Sequence, residues 1–342
     1  MRTIRAREDD RGVILIALLW LMTILSVIAL SFGREAFVEV AASRNAQDLT
    51  DAYYIARAGI SSTIYQLLQK KYLPQRAPSD LLALEPDGID LGRVVGRFGD
   101  GEYEVEIQDE SGKINVNAGE IALPQLKALT GVLGISPPDA EIVVDSILDW
   151  IDIDKVPHAN GAEDDYYQTL QPPYLAKNKP MSLLEELLLV RGVTPDYYYG
   201  HREKNPEGQI VELYGLSRYL TAHLPTVIGS RININAAPLP VLLSVPGLPP
   251  GIAQMIYERR LVRPFRDLGE ISKELGPGLG NSLGFISAQL PSTPVASVLT
   301  LMATGRRAES KVRRTIRAIV KIDPNDANNR YKIIYWNENV PN

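Results

Sequence analysis

From Val13 to Phe32 the chain runs VILIALLWLMTILSVIALSF, 20 residues without a charge. A helix of that length rises roughly 30 Å, the thickness of a bilayer's hydrocarbon core. Arg2, Arg5, Arg7 and Arg11 precede the run, while Glu8, Asp9 and Asp10 dilute the net charge there. Acidic residues contribute little to the positive-inside rule, so the N-terminus is expected in the cytoplasm and the rest of the chain across the membrane. The competing reading is a secretory signal peptide cut near Ser31-Phe32-Gly33. The run is longer than the roughly 7–15 residues of a cleaved h-region, which argues against that reading.

The junction before the run narrows the choice. Gly12 separates the short charged leader from the first apolar residue, giving Arg11-Gly12-Val13. This resembles the type IV prepilin signal, in which a dedicated peptidase cuts after the glycine and the apolar helix is retained. Beyond Arg34, apolar residues recur at Leu49, Ala52/Tyr53, Ala56, Ile60, Ile64 and Leu67/Leu68, a helical spacing. Arg44 and Asp48 form an i,i+4 pair on another face. Gly59 weakens the pattern by about 1 kcal/mol without ending it. Pro74 and Pro78 mark the far boundary. The expected helix therefore covers 13–72, with 13–32 in lipid.

Residues 73–99, rich in Pro, Gly and Asp, read as a connection. Glu102 to Gln108 then alternates as a half-buried strand, with Tyr103, Val105 and Ile107 inward. Near the other end, Val298–Thr304, the alternating stretch from Val312 to Ile322 and Tyr331–Trp336 read as a meander, with turns at Gly305–Ser310 and Asp323–Asp326. Strands so far apart in sequence gain stability only in one sheet, packed here on the amphipathic helix. The expected fold is α+β: a long N-terminal helix on an antiparallel sheet built from 73–118 and 291–342, with 119–290 as an all-helical insert. Within that insert Ile142–Trp150, Leu183–Val190, Leu239–Val245 and Ile252–Arg260 are patterned as helices. Ser182 and Glu185 read as a capping box.

Composition excludes several chemistries. Zero cysteine removes disulfides, thiol catalysis and thiolate metal sites, and His158, His201 and His223 are too scattered for a multi-histidine centre. A formal charge of −5 offers no whole-chain case for nucleic acid. The densest chemistry is Asp149-Trp150-Ile-Asp152-Ile-Asp154, followed by Glu163. With Asp152 as position 1, Asp154 is position 3 and Glu163 is position 12 of an EF-hand-like spacing, and Val156 could add a carbonyl near position 7. Gly161 is displaced from the turn position and Pro157 stands where that turn belongs, so the cage would be irregular. Asp149, Asp152, Asp154 and Glu163 repel unless solvated or bridged by a cation. Two readings stay open: a solvated acidic loop with capping aspartates, or a site for Ca²⁺. Acid–base catalysis lacks a nucleophile or companion base nearby, so no catalytic residue is expected.

Ile232-Asn-Ile-Asn235, Leu239–Val245 and Pro246-Gly247-Leu248-Pro249-Pro250 ahead of Ile252–Arg260 resemble a helix-hairpin-helix or SAM-like module. Ile114-Asn-Val-Asn117 with Leu123–Leu129 resembles a degenerate earlier copy. Arg259, Arg260, Arg263 and Arg266 support a rival function, a membrane-tethered DNA receptor. Against it, the prolines remove amide donors where phosphate would bind. Arg313, Arg317 and Lys321 form a solvated stripe or a partner surface. Tyr197–Tyr199 reads as a packing cluster or an interface.

Taken in order, Arg11-Gly12-Val13 with its long helix, Asp109–Asn117, Asp149-Trp150…Glu163, Leu184–Gly192 with Val193–Gly200, Ile232–Pro238 and the closing Ile334-Tyr-Trp336 resemble the type II secretion system (general secretion pathway) protein K family. The resemblance covers essentially the whole chain. It implies a minor pseudopilin of the inner membrane, processed and methylated through prepilin peptidase, that caps or initiates a pseudopilus with minor pseudopilins I and J. It also implies a test at the fifth mature position, where most pilin-like subunits carry a glutamate that neutralises a neighbour's amine. Here that position is Ala17. A carboxylate without an amine to meet is costly in lipid, so its absence suits a tip subunit.

Overall fold

The computed structural model describes residues 9–72, 90–204, 208–225, 231–276, 282–288, 297–323, 326, 328–338 and 340. The leader through Glu8, the boundary at Pro74 and Pro78, and the Pro324-Asn325 turn lie outside the described residues. In chain order the elements are α1 (Asp9–Tyr72), β1 (Asp90–Phe98), β2 (Gly101–Asp109), β3 (Ile114–Asn115), α2 (Leu123–Val132), α3 (Pro137–Ile151), α4 (Asp164–Tyr167) and α5 (Pro195–Tyr199). There follow β4 (Gly200–Lys204), β5 (Ile210–Tyr214), β6 (Leu220–Thr221), β7 (Ile232–Asn233), α6 (Leu239–Leu243), α7 (Pro250–Val262) and α8 (Leu268–Leu275). The last are β8 (Ile286–Ser287), β9 (Ser297–Arg307), β10 (Arg313–Ile322) and β11 (Tyr331–Asn337).

α1 is one uninterrupted helix of 64 residues. Its Ile14–Phe32 portion is wholly exposed, as a segment awaiting lipid or other helices would be. Ile55, Ala56, Ile60 and Ile64 pack with Val105, Ile107, Leu301, Ala303, Ile316 and Ala318 on one face of the sheet. Leu49, expected on the same stripe, is exposed, because the sheet meets the helix only from about Ala52 onward. Small residues let the two surfaces approach: a Cβ on Gly305 would collide with the backbone of Ala52 and Ala56, and one on Gly59 would meet the Tyr103 ring at 2.8 Å. Asp48 accepts from the Ser310 hydroxyl at 2.7 Å, tying the helix to the β9–β10 turn.

The sheet has the order β1-β2-β9-β10-β11, antiparallel throughout. Every expected strand is present, and β9 runs on to Arg307 rather than turning at Gly305. β1 lies in the stretch expected to be connection. Gly92 and Gly96 dilute its alternation, yet Val94 pairs with Val105 and packs on α1. An edge strand tolerates such glycines, whose weak propensity a neighbour's ladder overrides.

The insert has its own apolar core, running from Ile114 and Val116 through Val143, Ile147, Trp150 and Leu187 to Phe265 and Ile286. It is not all-helical. β3–β6 and β7–β8 are parallel pairs and β4–β5 is an antiparallel hairpin. Two-residue strands carry no period of their own, so pairing of distant Ile-Asn dipeptides is set by tertiary packing. Leu184–Leu189 forms a 3-10 helix capped by Leu183, one residue after the expected cap Ser182. Its capping carboxylate is consequently Glu186, which accepts from the Ser182 and Leu183 amides at 2.8 and 3.0 Å, rather than Glu185.

Candidate functional site

The carboxylate loop begins where α3 ends. Asp149 lies in the last turn of α3 and Asp152 is its C-cap. Asp149 is fully buried and accepts from the His158 amide at 3.0 Å, while its Oδ1 also meets His158 Nδ1. The other ring nitrogen of His158 faces Glu120 at 2.9 Å. Gly161 packs directly on Asp149, where a Cβ would collide with the carboxylate, and its carbonyl accepts from Arg191 at 2.9 Å. That contact accounts for the glycine displaced from its EF-hand position: it serves the helix end, not a cation-binding turn. Asn160 adds a further tie, its amide and side chain both donating to Asp145 Oδ2 at 3.1 Å.

Held this way, the loop gathers its acids into two overlapping groups. Asp152, Asp154 and Glu163 each offer one oxygen, all within 4.8 Å of one another, and Asp149, Asp152 and His158 offer two oxygens and a ring nitrogen within the same distance. Glu163 is buried with both oxygens unpartnered, and Asp152 Oδ1 is likewise buried without a partner. Burial, and next the charge of Asp149, raise Glu163 to about 7. Burial, then Asp154 and Asp149, raise Asp152 to about 6. His158 is raised to about 9, chiefly by its hydrogen bond to Asp149. The structure thus brings Asp152, Asp154 and Glu163 together and commits much of Asp149 to His158. Sequence reasoning missed His158 and Glu120. The Asp-x₈-His separation has no helical or strand period, so nothing in the sequence marks the pair.

The two Ile-Asn-x-Asn segments share a pattern of hydrogen bonds. Asn115 and Asn233 each accept from the amide two residues on, both at 3.2 Å. Asn117 clamps the backbone of Met181, accepting at 2.7 Å and donating at 2.9 Å, and Asn235 clamps Phe265 at 2.9 Å in both directions. A left-handed glycine precedes the second helix in both copies, Gly134 (φ 74°) before α3 and Gly247 (φ 73°) before α7. After the clamped residue, Glu186 caps the next turn in one copy and Glu270 accepts from the Arg266 amide at 2.6 Å in the other. Where the second copy passes from α7 to Phe265 through Arg263-Pro264, the first carries the whole carboxylate loop.

Three of the four arginines that would favour DNA are engaged, and Arg266 is exposed. Arg259 pairs with Glu270 at 2.9 Å and Glu274 at 2.8 Å, Arg263 pairs with Glu270, and Arg260 is buried and donates to the Ile234 carbonyl at 2.5 Å. In the β10 stripe, Arg317 pairs with Glu185 of the insert at 2.9 Å. Of the three tyrosines, Tyr198 is core, Tyr197 donates to Asp139 at 3.1 Å and Tyr199 is exposed. Gly12 and Val13 lie within the backbone of α1, and Ala17 sits exposed on the same helix.

Residues 105–201 match the family described as type II secretion system (T2SS), protein K. Type II secretion system protein K of Pseudomonas aeruginosa is 24% identical over 322 residues, covering 89% of this chain and 87% of that protein. The protein of the same name from Pectobacterium carotovorum is 29% identical over 205 residues, covering 56% of this chain and 61% of its own length. Among solved structures, a chain of the GspK-GspI-GspJ complex from enterotoxigenic Escherichia coli superposes with a TM-score of 0.63 at 18% identity, over 88% of this chain and all of that one. The resemblance to the protein K family is therefore shown.

Proposed function

We propose that this chain is a type II secretion system protein K, a minor pseudopilin that caps or initiates the pseudopilus and so supports export of folded proteins across the outer membrane. One observation carries the reading. A single helix has a bare apolar half long enough to span a membrane and a second half clasped under an antiparallel sheet. That division of labour suits a subunit stored in a membrane and drawn into a helical bundle. The protein is an assembly component rather than an enzyme. It crosses the inner membrane once, with its N-terminus cytoplasmic and its body periplasmic, and prepilin peptidase cuts between Gly12 and Val13. Its partners are minor pseudopilins I and J and, through them, the other pseudopilins. With Arg259 and Arg263 in ion pairs and Arg260 buried, most of the hairpin module's basic charge is already engaged, which speaks against a DNA receptor.

The carboxylate loop fits a hard divalent cation. Its donors are oxygens, and the unpartnered buried oxygens of Glu163 and Asp152 leave acceptor capacity that no described protein donor uses. Asp152, Asp154 and Glu163 would hold Ca²⁺, with Asp149 contributing from the edge of the group. When bound, the ion would supply the positive charge that these carboxylates lack.

Co-purification tests the functional reading. The full chain, extracted from membranes with I and J co-expressed, is expected to elute as one complex with both. Elution of I and J together without it would sink the proposal.

A further inference from the structure

The insert and the α1–sheet unit keep separate apolar cores, and the seam between them is polar. Glu110, beyond the end of β2, is buried against Lys113 at 2.6 Å and accepts from Thr300 of β9 at 2.8 Å. Glu185 of the insert meets Arg317 of β10 at 2.9 Å. Between these pairs lies His223. Its amide is tied to the Thr221 hydroxyl at 3.2 Å, and its ring stacks on Tyr335 of β11 with centroids 6.4 Å apart and planes at 27°. Arg317 also overlies Tyr335, its guanidinium carbon 5.7 Å from the ring.

The groups facing His223 come from every element at the seam: Glu110 and Lys113 after β2, Glu185 from the 3-10 turn, Arg317 from β10 and Tyr335 from β11. Each acid already has a cation, Glu110 with Lys113 and Glu185 with Arg317. A neutral imidazole suits this balanced setting. A protonated one adds a charge with no carboxylate left to answer it. We propose that His223 makes the seam between insert and sheet an acid-sensitive joint, in which a proton taken from solvent by its ring releases the insert from β10 and β11.

The sign follows from linkage. Burial holds the His223 pKa below its ordinary value of 6.5 while the insert is docked. The undocked state therefore binds the proton more readily, so docking is fully favoured above about pH 6.5 and weakens as pH falls through the depressed value. A single proton changes the open-to-docked ratio by at most about tenfold per pH unit.

The natural chain has no cysteine, so Lys127→Cys on α2 and Lys311→Cys in the β9–β10 turn carry nitroxide labels alone. Pulsed electron spin resonance on the full chain in nanodiscs should show one narrow distance at pH 8. At pH 5 a second, broader population should appear, and His223→Gln should stay narrow at both. In case that substitution does not fold, the ring resonances of the unsubstituted histidine must titrate with the same midpoint as the opening. Identical distances at pH 8 and pH 5, opening retained in His223→Gln, or a ring midpoint apart from the opening midpoint would each overturn the proposal.

Discussion

Gly12 and Ala17 are helix residues like their neighbours, and what distinguishes them is the side chain each lacks. A peptidase pocket shaped for hydrogen alone would be crowded by a branched residue, so Gly12→Val should leave the leader attached. N-terminal sequencing should read from Val13 in the parent protein, and a start at residue 34 would contradict retention of the helix. Ala17→Glu places a carboxylate in the apolar helix, where an acid without a partner costs at least about 2–3 kcal/mol. For a subunit with no neighbour above it, that variant should assemble pseudopili at the same rate or more slowly. Faster assembly would show that an amine was waiting there.

At the scale of elements, the carboxylate loop and the α1–sheet contact depend on different physics. The loop concentrates like charge, and a cation binding only the folded state adds RT ln(1+[L]/Kd), about 2.7 kcal/mol at a hundredfold excess over Kd. EGTA should lower the melting temperature of the parent protein, while Asp152→Ala should lower it with calcium present and shrink the calcium–chelator difference. A parent melting curve unmoved by EGTA would favour the solvated acidic loop. The α1 contact depends on close approach instead. Gly305→Leu inserts a side chain where the helix backbone of Ala52 and Ala56 lies. Overpacking of this kind costs about 1–3 kcal/mol. Thermal unfolding should register the loss, and an unchanged midpoint would mean that the helix docks less tightly than the structure shows.

At the scale of the molecule, two cores act as one body only through their seam. The Glu110–Lys113 pair is the most buried link in it, with side-chain exposures of 1% and 3%. Removing one partner of such a pair leaves the other charged without compensation, at a cost of about 3–5 kcal/mol. Glu110→Ala should therefore destabilise the chain by that amount in denaturant titrations. A loss under about 1 kcal/mol, the worth of an exposed pair, would mean that water reaches the seam.

The membrane helix, its continuation under the sheet, the strand meander and the acidic loop could all be read from the sequence, because each has a local signature. A charge-free run, a 3.6-residue period, a 2-residue period and clustered carboxylates need no partner to be recognised. The duplicated Ile-Asn-x-Asn segments were visible too, as repeated residues whose purpose was not. Tertiary structure decided the rest. Asp149 meets His158 only because the loop turns back on Gly161, and β1 becomes a strand only because β2 offers it a ladder. The Ile-Asn pairs become parallel strands across more than fifty residues, and Glu185 leaves its expected capping role to Glu186 and reaches across to Arg317. The energy of each of these pairings exists only once both partners have been brought together, so neither side chain's neighbours in sequence announce them.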